Sequence, residues 1–217
     1  INNRMFLIFD TETTGLPKRW DSPLSDLENW PRCVQLAWQL HDEKGECISQ
    51  ESFIIYPNDF TIPFDAEKIH GISTELGKKE GKNISNVLSI FQKILSKTQY
   101  LCGHNVSFDL KILGAEFLRL NQENPLENIE IIDTCSENTA LICKLSGGKG
   151  GRFKLPTLTE LYFHIFKEKF QEAHNASADV EATARCLLEL IRTEKIFPKN
   201  FEKQNLLKIF SKVRTKP

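Results

Sequence analysis

Apolar residues fall along this chain in short continuous runs first and helical stripes afterwards. Residues 4–9 carry the unbroken run Met5-Phe6-Leu7-Ile8-Phe9, which predicts a strand buried on both faces. A polar loop follows, bearing Pro17, Pro23 and Pro31. Residues 33–41 and 46–56 read as two strands joined by a tight turn at Asp42-Glu43-Lys44-Gly45. Val87, Phe91, Ile94 and Leu95 then recur at helical spacing, with Asn83 or Ser85 as N-cap. A short strand at 100–102 precedes a helix whose buried face holds Leu110, Leu113, Phe117 and Leu118. Another strand is predicted at 129–132, and helices near 134–143, 157–168 and 177–193. The last helix has a clean stripe of Val180, Ala184, Leu187, Leu188 and Ile191. Three leading strands, two of them a hairpin, followed by alternating helix and strand predict a mixed α/β sheet.

The 217 residues, 40% hydrophobic and 26% charged, suit one domain with a sizeable core, or one domain plus an appendage. The 28 basic and 29 acidic residues nearly cancel, to a formal charge of -1. That balance argues against binding polyanions by bulk charge and against a membrane-surface protein. No run approaches the roughly 18 apolar residues of a membrane span, and the opening run is too short for a signal-peptide core. The six cysteines show no paired spacing, which predicts free thiols in a cytoplasmic protein and no zinc site. The first residue is Ile1 rather than Met, as expected of a processed or trimmed N-terminus. Charge is uneven. Residues 195–217 hold seven basic groups against Glu202 alone, and Phe201, Leu206, Ile209, Phe210 and Val213 fall near helical spacing. The expected division is therefore a domain over 1–195 and a basic amphipathic tail over 196–217. That tail either caps the domain or leads on to DNA, a partner or further polypeptide.

The most informative polar feature is Asp10-Thr11-Glu12-Thr13-Thr14-Gly15, where the first apolar run ends. In an extended chain Asp10 and Glu12 point to the same face. Two adjacent carboxylates repel unless a cation lies between them, and hard divalent ions take oxygen ligands. Two further acidic positions recur in similar settings. His104-Asn105-Val106-Ser107-Phe108-Asp109 follows the strand at 100–102, and His174-Asn175-Ala176-Ser177-Ala178-Asp179 leads into the final helix. Singly, Asp109 and Asp179 could merely complement helix dipoles, worth roughly 0.3–1 kcal/mol each. Three such segments in series point to a shared centre.

These segments resemble the motifs of the DEDDh 3′-5′ exonucleases: D-T-E-T-T-G at 10–15, H-N-x-x-F-D at 104–109 and H-x-x-x-x-D at 174–179. The resemblance implies an RNase H-like mixed five-stranded sheet flanked by helices. It also implies two divalent ions, Mg²⁺ or Mn²⁺, held by Asp10, Glu12, Asp109 and Asp179, with His174 as general base. Thr11, Thr13, Thr14 and Leu16 match the stretch that holds the 3′-terminal nucleotide. His70, in His70-Gly71-Ile72, matches a histidine near the terminal base, although packing at a helix end is also open to it. Phe108 is open between stacking on a base and packing. The implied substrate is the 3′ end of single-stranded or frayed DNA, with RNA as the alternative. The run Trp30-Pro31-Arg32-Cys33-Val34-Gln35-Leu36-Ala37-Trp38 resembles exonuclease domains attached to, or acting with, bacterial replicative polymerases. A catalytically silent nucleic-acid or polymerase-binding module is the rival from another class.

Two segments stand outside the motifs. The glycine-rich stretch 146–154 lacks the G-K-[ST] ending of a P-loop and reads as a flexible linker, with Lys144, Lys149, Arg152 and Lys154 available to substrate backbone. The loop 16–31 carries Trp20 and Trp30, which either pin it to the sheet or offer a contact surface. His104 and Asn105 are expected to shape the second motif, and His41 and His164 to be structural or exposed.

Overall fold

The computed structural model describes residues 5–170 and 174–196. The tail expected over 196–217 lies outside them apart from Ile196, which packs into the core. Five strands form one sheet in the order β3-β2-β1-β4-β5: β1 (Phe6–Thr13), β2 (Cys33–His41), β3 (Cys47–Ile54), β4 (Tyr100–Gly103) and β5 (Glu130–Asp133). The first three run antiparallel, and β1, β4 and β5 run parallel. This is the mixed sheet that the apolar pattern predicts, with the five strands that the resemblance implies. Asp42 closes the hairpin turn, its Oδ1 accepting from the amides of Lys44 and Glu46 at 2.8 and 2.9 Å.

Strand alternation sorts the core. Phe6 and Ile8 face one side with Tyr100, Cys102 and Ile132, under α5 (Glu137–Cys143), α6 (Leu158–Phe166) and α7 (Ala176–Arg192). Leu7 and Phe9 face the other with Leu36, Trp38 and Leu101, under α3 (Ile84–Leu95) and α4 (Val106–Arg119). Phe6, Leu7, Ile8 and Phe9 are all fully buried, at about 1.5–3 kcal/mol of burial free energy per side chain. Asn83 is the N-cap of α3, accepting from the Ser85 amide at 2.9 Å.

Three features depart from the sequence reading. First, β1 runs beyond residue 9 to Thr13, because Asp10, Thr11 and Glu12 stay in register with Ala37, Leu36 and Gln35 of β2. Second, two short helices, α1 (Phe64–His70) and α2 (Thr74–Glu80), lie between β3 and α3 in the chain, and Ala66 and Ile72 pack with Val34 and Ile62 in a small core of their own. Third, the glycine-rich stretch is folded: Lys149–Gly151 forms a short turn, and Arg152 and Lys154 pair with Glu137 and Glu160 at 3.0 and 2.7 Å. All six cysteines are free. Among the described residues no helix is long and apolar enough to cross a membrane.

Candidate active site

The carboxyl end of β1, the central strand, meets the starts of α4 and α7. Asp10 and Glu12 leave the same face of β1, and α7 packs against β1 and β2 so that Asp179, in its first turn, meets them. Oxygens of Asp10, Glu12 and Asp179 all lie within 4.8 Å of one another. Asp109 stands beside them in the first turn of α4. It is buried, and its Oδ1 accepts from the Thr11 amide at 3.0 Å and from the Thr11 hydroxyl.

Four carboxylates in so little water cannot all ionise cheaply. Burial, then the charges of Asp109, Asp179 and Glu12, hold Asp10 well above the ordinary carboxylate range. Burial, then Asp179 and Asp109, push Glu12 up to about 8. Asp109 is raised to about 7 by burial against the opposing hydrogen bonds from Thr11. Asp179 rises to about 6, again by burial, while the His174 amide bond to its Oδ2 at 3.0 Å pulls the other way. A divalent ion ligated at about 2.0–2.6 Å spans oxygens up to about 5 Å apart. The all-oxygen donor set and its spacing therefore fit a hard divalent cation.

Neighbouring residues hold the carboxylates in place. Gln35 of β2 accepts from the Ala176 amide at the start of α7 at 3.2 Å, and Gln39 donates to Glu181 at 2.6 Å. These two polar residues in a buried strand fix α7 to the sheet. Asp133 at the end of β5 accepts from the Asn105 and Cys135 amides, both at 2.8 Å, bracing the turn before α4. Asn105 itself has φ 59°, a left-handed conformation that asparagine tolerates. His104 does structural work: Nε2 lies 3.0 Å from the Pro156 carbonyl, to which it donates, and Nδ1 lies 2.9 Å from the Thr134 hydroxyl. Burial lowers its pKa to about 4. The motif pattern marks His104 and Asn105; Gln35, Gln39 and Asp133 carry only the weak signal of polarity at strand positions.

The remaining candidates fall around the rim. The Thr11, Thr13 and Thr14 hydroxyls are all engaged within the protein: on Asp109, on the Gly15 carbonyl at 2.7 Å, and on the Arg32 amide at 3.0 Å. Gly15, at φ 143°, occupies a backbone region that side chains rarely adopt and turns the chain away from β1. Leu16 then projects with 73% of its surface exposed, beside a cleft of about 580 Å³ that also borders Arg32, Phe60 and Arg119. His70 is buried, its Nδ1 accepting from the Ile72 amide at 3.1 Å. Burial lowers its pKa, and the nearby Thr13 carbonyl partly opposes that. Phe108 is half-buried against Trp20. His174, at φ 70°, has an exposed side chain. His41 is structural, Nε2 and Nδ1 lying 2.9 Å from Gln39 and 3.1 Å from the Gly45 carbonyl.

Acidic residues from β1, α4 and α7 thus gather at one place on the sheet, and the chain matches the exonuclease (RNase T) family over residues 7–187. It belongs to that family. Among individual proteins it is 33% identical over 188 residues to the DNA polymerase III subunit epsilon of Treponema pallidum, covering 87% of this chain and 75% of that one. It is also 28% identical over 215 residues to the PolC-type DNA polymerase III of Latilactobacillus sakei, 96% of this chain but 12% of the relative. The fold matches Escherichia coli exonuclease I, solved in complex with a dA16 oligonucleotide, with a TM-score of 0.65 at 22% identity. That match covers 88% of this chain and 41% of the other. The chain thus spans less than half of exonuclease I and a small part of the PolC-type polymerase.

Proposed function

We propose that this chain is a metal-dependent 3′-5′ exonuclease of the DEDDh type. It shortens single-stranded or frayed DNA from the 3′ end and releases 5′-mononucleotides. The observation that carries this reading is the Asp10, Glu12 and Asp179 cluster, with Asp109 beside it, in a chain of the exonuclease family. Asp10, Glu12 and Asp179 are the residues to hold one divalent ion, and Asp10 with Asp109 a second, Mg²⁺ or Mn²⁺. Such ions, when bound, supply positive charge to the scissile phosphate and acidify water. His174 takes the proton from the attacking water; its backbone bond to Asp179 keeps its loop at the cluster. Leu16 and His70 contact the terminal nucleotide, with backbone from the 11–15 stretch. Residues 1–195 form the catalytic unit, and the basic segment 196–217 is an appendage to it. Similarity to polymerase subunits supports a proofreading role with a replicative polymerase, in cis or in trans.

Incubation of sequence-matched DNA and RNA oligonucleotides with Mg²⁺, and again with EDTA, tests the reading. Mononucleotide release from DNA that EDTA abolishes supports it. Faster release from RNA moves the substrate to RNA. Binding of either oligonucleotide without release in Mg²⁺ leaves a silent nucleic-acid-binding module.

A further inference from the structure

The loop 16–31 is firmly built. Arg119 Nη2 donates to the carbonyls of Leu27 and Trp30 at 2.7 and 2.6 Å. Asn29 bonds the Arg19 backbone in both directions, at 2.7 and 2.9 Å, and Trp30 Nε1 donates to the Pro23 carbonyl at 3.1 Å. Trp30 is the pin, only 3% exposed. Trp20 behaves differently. The residue is 52% exposed, and its ring lies 5.7 Å from that of Phe108, the residue before Asp109, at an interplanar angle of 53°. Its carbonyl accepts from Lys111 Nζ at 2.9 Å, which ties it to α4 a second time. It lies in an exposed run, Lys18-Arg19-Trp20-Asp21, whose two basic side chains outnumber the one acidic and suit a phosphate backbone. Arg19 Nε donates to the Ser22 hydroxyl at 3.2 Å, and its Nη2 lies 4.0 Å from Asp26, at the limit of an ion pair.

An open aromatic ring held from two directions loses little freedom when a base settles on it. Every base has a π-face, so such stacking tolerates any sequence but requires an unpaired strand. We infer that Trp20 stacks on a base of the single strand upstream of the scissile phosphate, with Lys18 and Arg19 along its backbone. The inference rests on the exonuclease reading above. It adds a substrate-binding residue outside the motifs and a physical reason for single-strand preference.

Trp20 can be read directly by fluorescence, because Trp30 and Trp38 are 3% and 1% exposed. In EDTA, where no cleavage occurs, saturating oligothymidylate should quench the tryptophan emission of the wild-type protein. The quench should vanish in Trp20→Phe. In Mg²⁺, Trp20→Ala should raise KM for the same oligonucleotide about ten-fold, with a far smaller change in kcat, and Trp20→Phe should restore KM. Emission indifferent to oligothymidylate, or a Trp20→Ala KM within about two-fold of wild type, overturns the inference. A quench in a wild-type protein that releases no mononucleotide sinks the exonuclease reading and leaves the stacking role standing.

Discussion

His174 and Thr11 show how single side chains divide the labour around the carboxylates. Thr11 spends its amide and hydroxyl on Asp109 and so fixes one acid in orientation. His174 gives only its amide, to Asp179, and keeps its ring at the surface. A positioned general base is worth about 10²–10⁴ in rate. His174→Ala should therefore lower kcat by that range while Mg²⁺ affinity, measured by calorimetric titration, stays within about three-fold of wild type. A fall in Mg²⁺ affinity that accounts for the lost rate would instead make His174 a support for the metal site. The five motif residues are legible in the sequence because they fall as fixed residue types at the fixed offsets of the family's motifs. Trp20 is visible there only as an ambiguous loop aromatic, since its partner Phe108 is 88 positions away and spacing along the chain cannot bring them together.

At the level of elements, the long apolar runs and stripes announce themselves, and the short polar elements do not. The seven-residue helix α2 carries Gly77 in its middle, which counts against a helix on propensity. Glycine is there because a Cβ would stand 3.0 Å from Pro57. The polar end of β1 is hidden for a related reason: its pairing with β2, not its own pattern, makes it a strand. Two tethers between elements yield predictions. Glu116 of α4 is buried and accepts from Arg32 Nε and the Cys33 amide, both at 3.0 Å, with Arg119 at 3.0 Å. Glu116→Ala removes the acceptor shared by Arg32, Arg119 and the Cys33 amide. Arg32 keeps Asp59 at 2.6 Å, and Arg119 keeps the Leu27 and Trp30 carbonyls. The change should cost about 1–3 kcal/mol in urea unfolding; a loss under about 0.5 kcal/mol would show the cluster to be dispensable. His104 ties the turn before α4 to the segment before α6. Burial holds its folded pKa at about 4, below the ordinary histidine value of 6.5. The unfolded chain thus binds the extra proton, so its contribution is complete above about pH 6.5 and is lost as pH falls toward 4. That amounts to about 3 kcal/mol. A His104→Gln variant should lose less stability than wild type between pH 6.5 and 4, and equal losses would contradict the assignment.

For the whole molecule, the dominant stress is the acidic quartet itself. Glu12, Asp109 and Asp179 sit at about 8, 7 and 6 when folded, above the ordinary values of 4.5 and 3.8. The folded protein therefore holds protons that the unfolded chain has released. Their effect on stability is small below about pH 4, and grows unfavourable as pH rises through 6 to 8. A divalent ion replaces those protons. The melting temperature in EDTA should fall from pH 5 to pH 8, and Mg²⁺ should raise it at pH 8 by about 5 °C or more and far less at pH 5. An Mg²⁺ effect independent of pH would contradict a carboxylate site. Net charge near zero gives no hint of this concentrated anionic centre, because 29 acidic residues are averaged against 28 basic ones. The most direct measurement follows a single-stranded DNA labelled at its 5′ end, with wild-type protein and Asp10→Ala, in Mg²⁺. The wild type should yield a ladder shortening one nucleotide at a time from the 3′ end, with 5′-mononucleotides as product, and Asp10→Ala should leave the strand intact. Internal cleavage, loss of label as a mononucleotide at the outset, or an active Asp10→Ala protein would contradict a carboxylate-held metal centre working from the 3′ end.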